Sequence, residues 1–216
     1  MNEFNIIQSI CIFALPIIFA VTVHEAAHGY IANYYGDKTA KMLGRLTLNP
    51  IQHIDPLGTI IIPLALISIG TPFLFGWAKP VPVNERNLKN PRRDLALIAI
   101  AGPLSNLIMA LFWACMCKLS IYIPINWINL PLYLMGMAGI QINLILMLLN
   151  LIPLPPLDGS KVLNKFLKGS AARIYDQIEP YGFFILLFLL ISGALNHMLL
   201  PLFNSSIYLI RFTFGL

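Results

Sequence analysis

The chain has 216 residues, 58% of them hydrophobic and only 11% charged, with a mean hydropathy of +0.77. That excludes a soluble enzyme domain and indicates an integral membrane protein built as one domain over residues 1–216. The net charge of +5 marks topology and gives no reason to expect a nucleic-acid partner: of 14 Lys and Arg, eight lie between Lys38 and Arg93 and four between Lys161 and Arg173, as in cytoplasmic loops.

Residues 1–5 carry Glu3 and no Lys or Arg, so the basic region of a secretory signal is missing. Residues 6–35 read as the first apolar span, with Pro16 as a possible kink. Inside it lies Val23-His24-Glu25-Ala26-Ala27-His28-Gly29, an H-E-x-x-H pattern. Two residues four apart on a helix share a face. His24 and His28 can therefore aim their imidazoles at one metal ion, and Glu25 is placed to take a proton from water there. Chance would explain the pattern in many soluble helices. Three ionisable side chains among Ile, Phe, Val and Ala at membrane depth are a functional signal instead. From Phe4 to His24 is roughly 30 Å of helix, so the site belongs near the end of this span. The basic residues that follow place that end in the cytoplasm and the N-terminus outside.

Residues 36–53 are polar. Within them 41–50 loosely alternate, which suggests a strand. Residues 55–75 are apolar but broken by Pro56, Gly58, Pro63, Gly70 and Pro72. A single crossing there would put the basic stretch 79–93 outside, so a re-entrant segment is expected. Trp77-Ala78-Lys79-Pro80-Val81-Pro82-Val83 reads as an extended edge, since prolines suit a strand edge. Residues 95–117 form an outward span containing Ala101-Gly102-Pro103-Leu104-Ser105-Asn106, where Asn106 needs a polar partner. Residues 118–130 make an outer loop.

Residues 131–151 return inward to Asn150-Leu151-Ile152-Pro153-Leu154-Pro155-Pro156-Leu157-Asp158-Gly159. Three prolines end the helix and remove three N–H groups that would otherwise go unpaired. Asp158 follows this rigid arm. Its bland reading is a cap for the helix that begins near Lys161. Residues 159–178 suggest an amphipathic helix on the cytoplasmic face. Residues 180–196 are a further span, and 197–216, split by Pro201, a last short or interfacial one. Cys11, Cys115 and Cys117 form no C-x-x-C pair and read as small buried hydrophobes. The fold class expected is an all-α polytopic membrane protein. It has five to six membrane segments, one re-entrant, and a small membrane-associated β element.

A catalytic zinc keeps three protein ligands and one open position. The third could come from His53, Asp55, Glu85, Asp94, Asp158 or His197. Asp158 is the best physical choice, because it begins where an inward span ends, at the depth of His24 and His28. His53 is second.

The H-E-x-x-H stretch, the 102–106 stretch and the 150–159 stretch, in that order, resemble the site-2 proteases, which are intramembrane zinc metalloproteases. The resemblance covers residues 6–167, the expected catalytic core, and leaves the C-terminal spans 178–216. It implies one zinc ion held by His24, His28 and Asp158, with Glu25 as general base. It also implies that Asn150 helps stabilise the oxyanion. His53 and Asn106 are left as supporting positions. A transmembrane protein or peptide would be the substrate, unwound and paired with an edge such as 77–83. The compact form resembled has no PDZ or CBS domain, so substrate selection and regulation by such domains would be absent, or be supplied by separate membrane proteins. The lipid bilayer is its environment, a bacterial-type plasma membrane its location, with the active site toward the cytoplasm. Two rival classes are a zinc transporter and a CAAX-type membrane metalloprotease. The first would not need Glu25. The second would want a late glutamate, and only Glu179 is available.

Overall fold

The computed structural model describes residues 6–69 and 76–216. Residues 1–5, with Glu3, and 70–75, with Gly70 and Pro72, lie outside the described residues. Among the described residues all regular structure is helical. The helices are α1 (Ile6–Tyr34), α2 (Thr39–Met42), α3 (Ile62–Ile69), α4 (Pro91–Ser120), α5 (Asn126–Asn150), α6 (Asp158–Phe166), α7 (Ser170–Ile178), α8 (Gly182–Ile191) and α9 (Ala194–Phe214).

Among the described residues four stretches are long and apolar enough to cross a membrane: Ile10–Tyr34, Pro91–Ser120, Asn126–Asn150 and Ser170–Ile191. The chain is thus an all-helical integral membrane protein. By this measure the five to six expected segments stand at four. α3 has 8 residues and follows directly on the Pro56–Ile61 π-helix; the rest of the stretch expected to be re-entrant lies outside the described residues. α9 is long enough, but it carries Asn196, His197, Asn204 and Arg211.

Prolines inside helices do not end them here. Pro16, Pro103, Pro131 and Pro201 all lie within α1, α4, α5 and α9. The break expected at Pro201 falls instead at Gly193, whose φ of 75° belongs to the left-handed region. The single amphipathic helix expected over 159–178 is two, α6 and α7, separated at Gly169. Of the cysteines only Cys117 is buried; Cys11 and Cys115 are exposed on the apolar helix surfaces.

α4 and α5 form the centre with α9 against them. Ala110, Trp113 and Ala114 of α4 pack on Ile140 and Leu144 of α5 and Ile210 of α9. Small residues at such crossings let backbones approach, which is what drives helix association in lipid. Lys118 Nζ donates to the Gly215 carbonyl at 3.1 Å, so the ends of α4 and α9 lie together. α1 lies against α4 and α5 and turns Ile10, Phe13, Ile17 and Ile18 outward, as lipid-facing side chains would be.

After α5 the chain runs through 151–157 as an irregular arm, with a cis bond between Pro155 and Pro156. Three contacts hold this arm from its C-terminal side. Tyr175 Oη donates to the Pro153 carbonyl at 2.9 Å. Leu157 packs on Leu186 and Leu195. Gly182 lies so close to Pro155 that a Cβ there would come within 2.1 Å of the Pro155 carbonyl oxygen.

The strand expected over 41–50 does not form. Residues 39–42 are α2 and 50–53 a 3-10 turn. Short side chains take the backbone amides locally: Thr47 Oγ1 accepts from Asn49 N–H, and Asn49 Oδ1 from Ile51 N–H. Side-chain bonds of this kind compete with a ladder. Residues 76–84 have no assigned regular structure and join no ladder, so the extended edge expected over 77–83 does not appear as a strand. Pro80 and Pro82 have no N–H, and other donors of the segment are already used. Trp77 N–H bonds Gly58 O at 3.1 Å, and Lys79 N–H bonds His53 O at 2.9 Å. The expected β element is thus replaced, among the described residues, by an irregular segment clamped to Gly58 and His53.

Candidate metal centre

His24 and His28 lie one turn apart in the last third of α1, both less than one-tenth exposed. Asp158 is the first residue of α6, 7% exposed. The Nε2 atoms of the two histidines are 3.1 Å apart, and each is 3.2 Å from Asp158 Oδ2. Among the described residues this is the one group of three or more such side chains able to share a metal ion.

The far side of each ring fixes what the near side presents. His28 Nδ1 lies 2.7 Å from the Ile98 carbonyl, which can only accept, so that nitrogen carries the proton. His24 Nδ1 lies 2.6 Å from Asn106 Oδ1. Asn106 Nδ2 is committed to Ala20 O and to Asn143 Oδ1, at 3.2 and 3.0 Å, so His24 Nδ1 also donates. Both Nε2 lone pairs then converge with a carboxylate oxygen that has no hydrogen-bond donor. One proton would join two of these three atoms and leave the third facing a lone pair. A metal ion satisfies all three. Ligands about 2.0–2.1 Å from a tetrahedral zinc lie about 3.3 Å from one another, close to the spacing found. The donor set, two imidazoles and a carboxylate, is one that zinc takes.

Gly102 makes room for this arrangement. A Cβ at that position would come within 2.5 Å of His24 Cε1 and His28 Nε2, so only glycine lets α4 pass so near both rings. Asn106 and Asn143 are fully buried. Asn143 Nδ2 in turn donates to Gly139 O at 2.8 Å, so a polar chain runs from His24 through α4 into α5. Interhelical bonds of this kind contribute about 0.6 kcal/mol each, too little to explain buried amides by stability alone. Their greater effect is on ring orientation and tautomer.

Glu25 lies beside the first histidine, half-buried, and its Oε2 accepts from Val81 N–H at 2.8 Å. Asp158 does not cap α6; its side chain turns to the histidines.

The other sequence candidates are spent elsewhere. His53 is buried, and its Nε2 donates to Thr47 O at 2.9 Å. Asp55 caps the Pro56–Ile61 turn through Gly58 N–H. Asp94 accepts from Asn90 N–H. Glu85 and His197 are exposed. Asn150, at the end of α5, donates its amide back to Leu146 O at 3.0 Å. Glu179 lines a separate polar cleft of about 380 Å³ with Arg92, Lys161 and Lys165, away from the histidines.

Three residues escaped the sequence reading: Asn143, Asp37 and Arg45. The signal for Asn143 was an amide in an apolar span, the same one that marked Asn106. Asp37 is fully buried. It accepts from Thr39 N–H and Oγ1, Asn84 N–H and Asn87 Nδ2. Burial pushes its carboxyl up, and these donors outweigh it and hold the group below the usual range. Arg45 donates to the carbonyls of Lys79 and Pro80. Nothing local in the sequence marks either as a partner of the 79–87 stretch.

A buried two-histidine, one-carboxylate centre with an adjacent glutamate, inside a membrane helix bundle, defines a membrane metallohydrolase. Residues 12–125 and 125–193 match the family model of peptidase family M50. "Putative zinc metalloprotease YwhC" of Bacillus subtilis (strain 168) is 40% identical over 196 residues, covering 88% of this chain and 85% of that protein. "Putative zinc metalloprotease Rip2" of Mycolicibacterium smegmatis is 27% identical over 180 residues, covering 83% of this chain and 66% of that protein. No solved structure matches. The chain belongs to peptidase family M50, the site-2 protease family.

Proposed function

We infer that His24, His28 and Asp158 hold the one zinc ion of an intramembrane metalloprotease, and that Glu25 is its general base. The observation that carries this reading is the set of three ligand atoms 3.1–3.2 Å apart within a membrane bundle. Zinc, when bound there, polarises the scissile carbonyl and acidifies a water. Glu25 takes the proton and passes it to the leaving amine. Asn106 keeps His24 in the tautomer that offers Nε2. Asn150 turns its amide from Leu146 O to the developing oxyanion when substrate is in place. His53 supports the loop that carries the 76–84 segment, through its carbonyl on Lys79 N–H.

The substrate is a transmembrane segment, unwound because its amides are otherwise held within its own helix. The described residues on either side of the stretch expected to be re-entrant lie on one side of the membrane. The bonds of Trp77 and Lys79 to Gly58 and His53 support this by bringing both ends of that stretch together. The basic stretches at 79–93 and 161–173 support a cytoplasmic position for the site, in a plasma membrane. Residues 1–216 act as one domain. Both relatives named above carry zinc metalloprotease in their names, which agrees with this reading.

The test is cleavage of a fluorogenic transmembrane peptide by purified protein in proteoliposomes. A zinc chelator should abolish it and added zinc restore it. Cleavage that survives complete zinc removal would overturn the reading.

A further inference from the structure

We propose that the main-chain N–H of Val81 positions Glu25, and that Arg45 and Asp37 position Val81. This rests on the reading of Glu25 as general base. With Oε2 held by Val81 N–H at 2.8 Å, the carboxylate cannot rotate freely. Its other oxygen stays available for a water at the metal centre. Pre-set orientation of this kind is what a base needs to be effective.

The donor lies on a segment with no ladder of its own, so other groups must fix its place. Upstream of Val81, Arg45 Nη2 donates to Lys79 O at 2.9 Å and Pro80 O at 3.4 Å. Downstream, Asp37 accepts from Asn84 N–H at 2.7 Å and Asn87 Nδ2 at 2.8 Å. Arg45 is 8% exposed and Asp37 fully buried. Neither has an opposite charge within 4.0 Å among the described residues. Two buried charges without counter-charges are costly. Arg45 bonds the stretch before Val81, and Asp37, which also accepts from Thr39, bonds the stretch after it. Pro80 and Pro82 have no N–H, so Val81 is the sole main-chain donor between Lys79 and Val83. Glu25 has one donor within reach on that stretch, and its place is fixed from both ends.

Val81→Pro deletes the donor in a segment without regular structure and flanked by proline. Val81→Ala deletes the side chain and keeps the donor, so it measures the cost of the side chain alone. With the fluorogenic peptide in proteoliposomes, Val81→Pro should fall below Val81→Ala by about 10–100-fold in kcat, the usual effect of one hydrogen bond to a charged group. KM and zinc content should be equal in the two. Equal kcat, or a difference confined to KM, overturns the proposal. A second readout needs no turnover. Deuterium uptake in the 77–84 peptide should rise in Glu25→Ala and in Arg45→Met relative to the parent. If Val81→Pro does not load zinc, this exchange decides, and unchanged uptake in Glu25→Ala overturns the proposal. Glu25→Gln separates the two levels. If it keeps turnover, the reading of the base fails and this proposal with it. If it is inactive while Val81→Pro matches Val81→Ala, only the positioning role fails.

Discussion

His24 of α1 donates its Nδ1–H to Asn106 Oδ1 of α4 at 2.6 Å, across 82 residues of sequence. The bond aligns one ring of the metal centre from a different helix, and it leaves Nε2 as the free face. Removing it should loosen metal binding without removing a ligand. Asn106→Leu is expected to bind zinc about 10–100-fold more weakly, the range for loss of such outer partners. Zinc titration of the metal-free protein against a competing chelator measures it.

Glu25 should be needed for chemistry but not for metal. Glu25→Gln is expected to keep its zinc while turnover falls about 10²–10⁴-fold, the usual contribution of a general base. Zinc content and peptide cleavage, measured on one preparation, check both halves.

Asp158→Ala should lose zinc and all cleavage. His53→Ala should keep zinc, because His53 bonds Thr47 O and lies outside the ligand group. Titration of both variants compares them directly. Zinc loss in His53→Ala with retention in Asp158→Ala would reverse the assignment.

Basic residues on both sides of 55–75 should face the cytoplasm. Single cysteines at Lys89 and Lys165, both exposed, in a background lacking Cys11, Cys115 and Cys117, should resist an impermeant thiol reagent in intact cells and label after lysis. Labelling of Lys89→Cys from outside would mean that 55–75 crosses completely.

Asp37 has a lowered pKa in the folded protein. A lowered carboxylate contributes stability above its unfolded pKa and loses it as pH falls through the folded value. Parent and Asp37→Asn should therefore differ in melting temperature by a constant amount at neutral pH. The gap should begin to close only below about pH 4, the ordinary carboxylate range. Thermal melts of both proteins across pH 3–8 test the sign.

How much of this was legible depended on distance along the chain. His24, Glu25 and His28 share one helix, so helical geometry alone brought them together. Asp158 lies 130 residues beyond His28 and stood out through depth and its proline-rich arm; other candidates shared the depth. Asn106 needed a partner by the rules of apolar spans, but nothing in the spacing chose His24 over a neighbouring helix. Asp37 and Arg45 were invisible because they act on main-chain atoms some forty residues ahead, and any residue has main-chain atoms. The strand over 41–50 failed for a related reason. Alternation records which side a residue faces, whereas a ladder needs free amides, and Thr47 and Asn49 had taken them. The helix ends moved by several residues because proline at a helix start, as at Pro91, extends a helix instead of closing it.

The contact between Gly182 and Pro155 changes what counts as the working unit. The motifs end by Gly159, whereas the family match runs on to residue 193, beyond the 6–167 expected from the motifs alone. The arm that carries Asp158 leans on residues beyond 167, through Tyr175, Gly182, Leu186 and Leu195. A chain cut after Leu167 would contain every residue assigned to the chemistry and still lack the wall against which Asp158, the proposed last ligand, is set. The C-terminal helices are thus an inheritance the active site cannot give up, and substitutions there should surface as defects in metal retention far from any ligand.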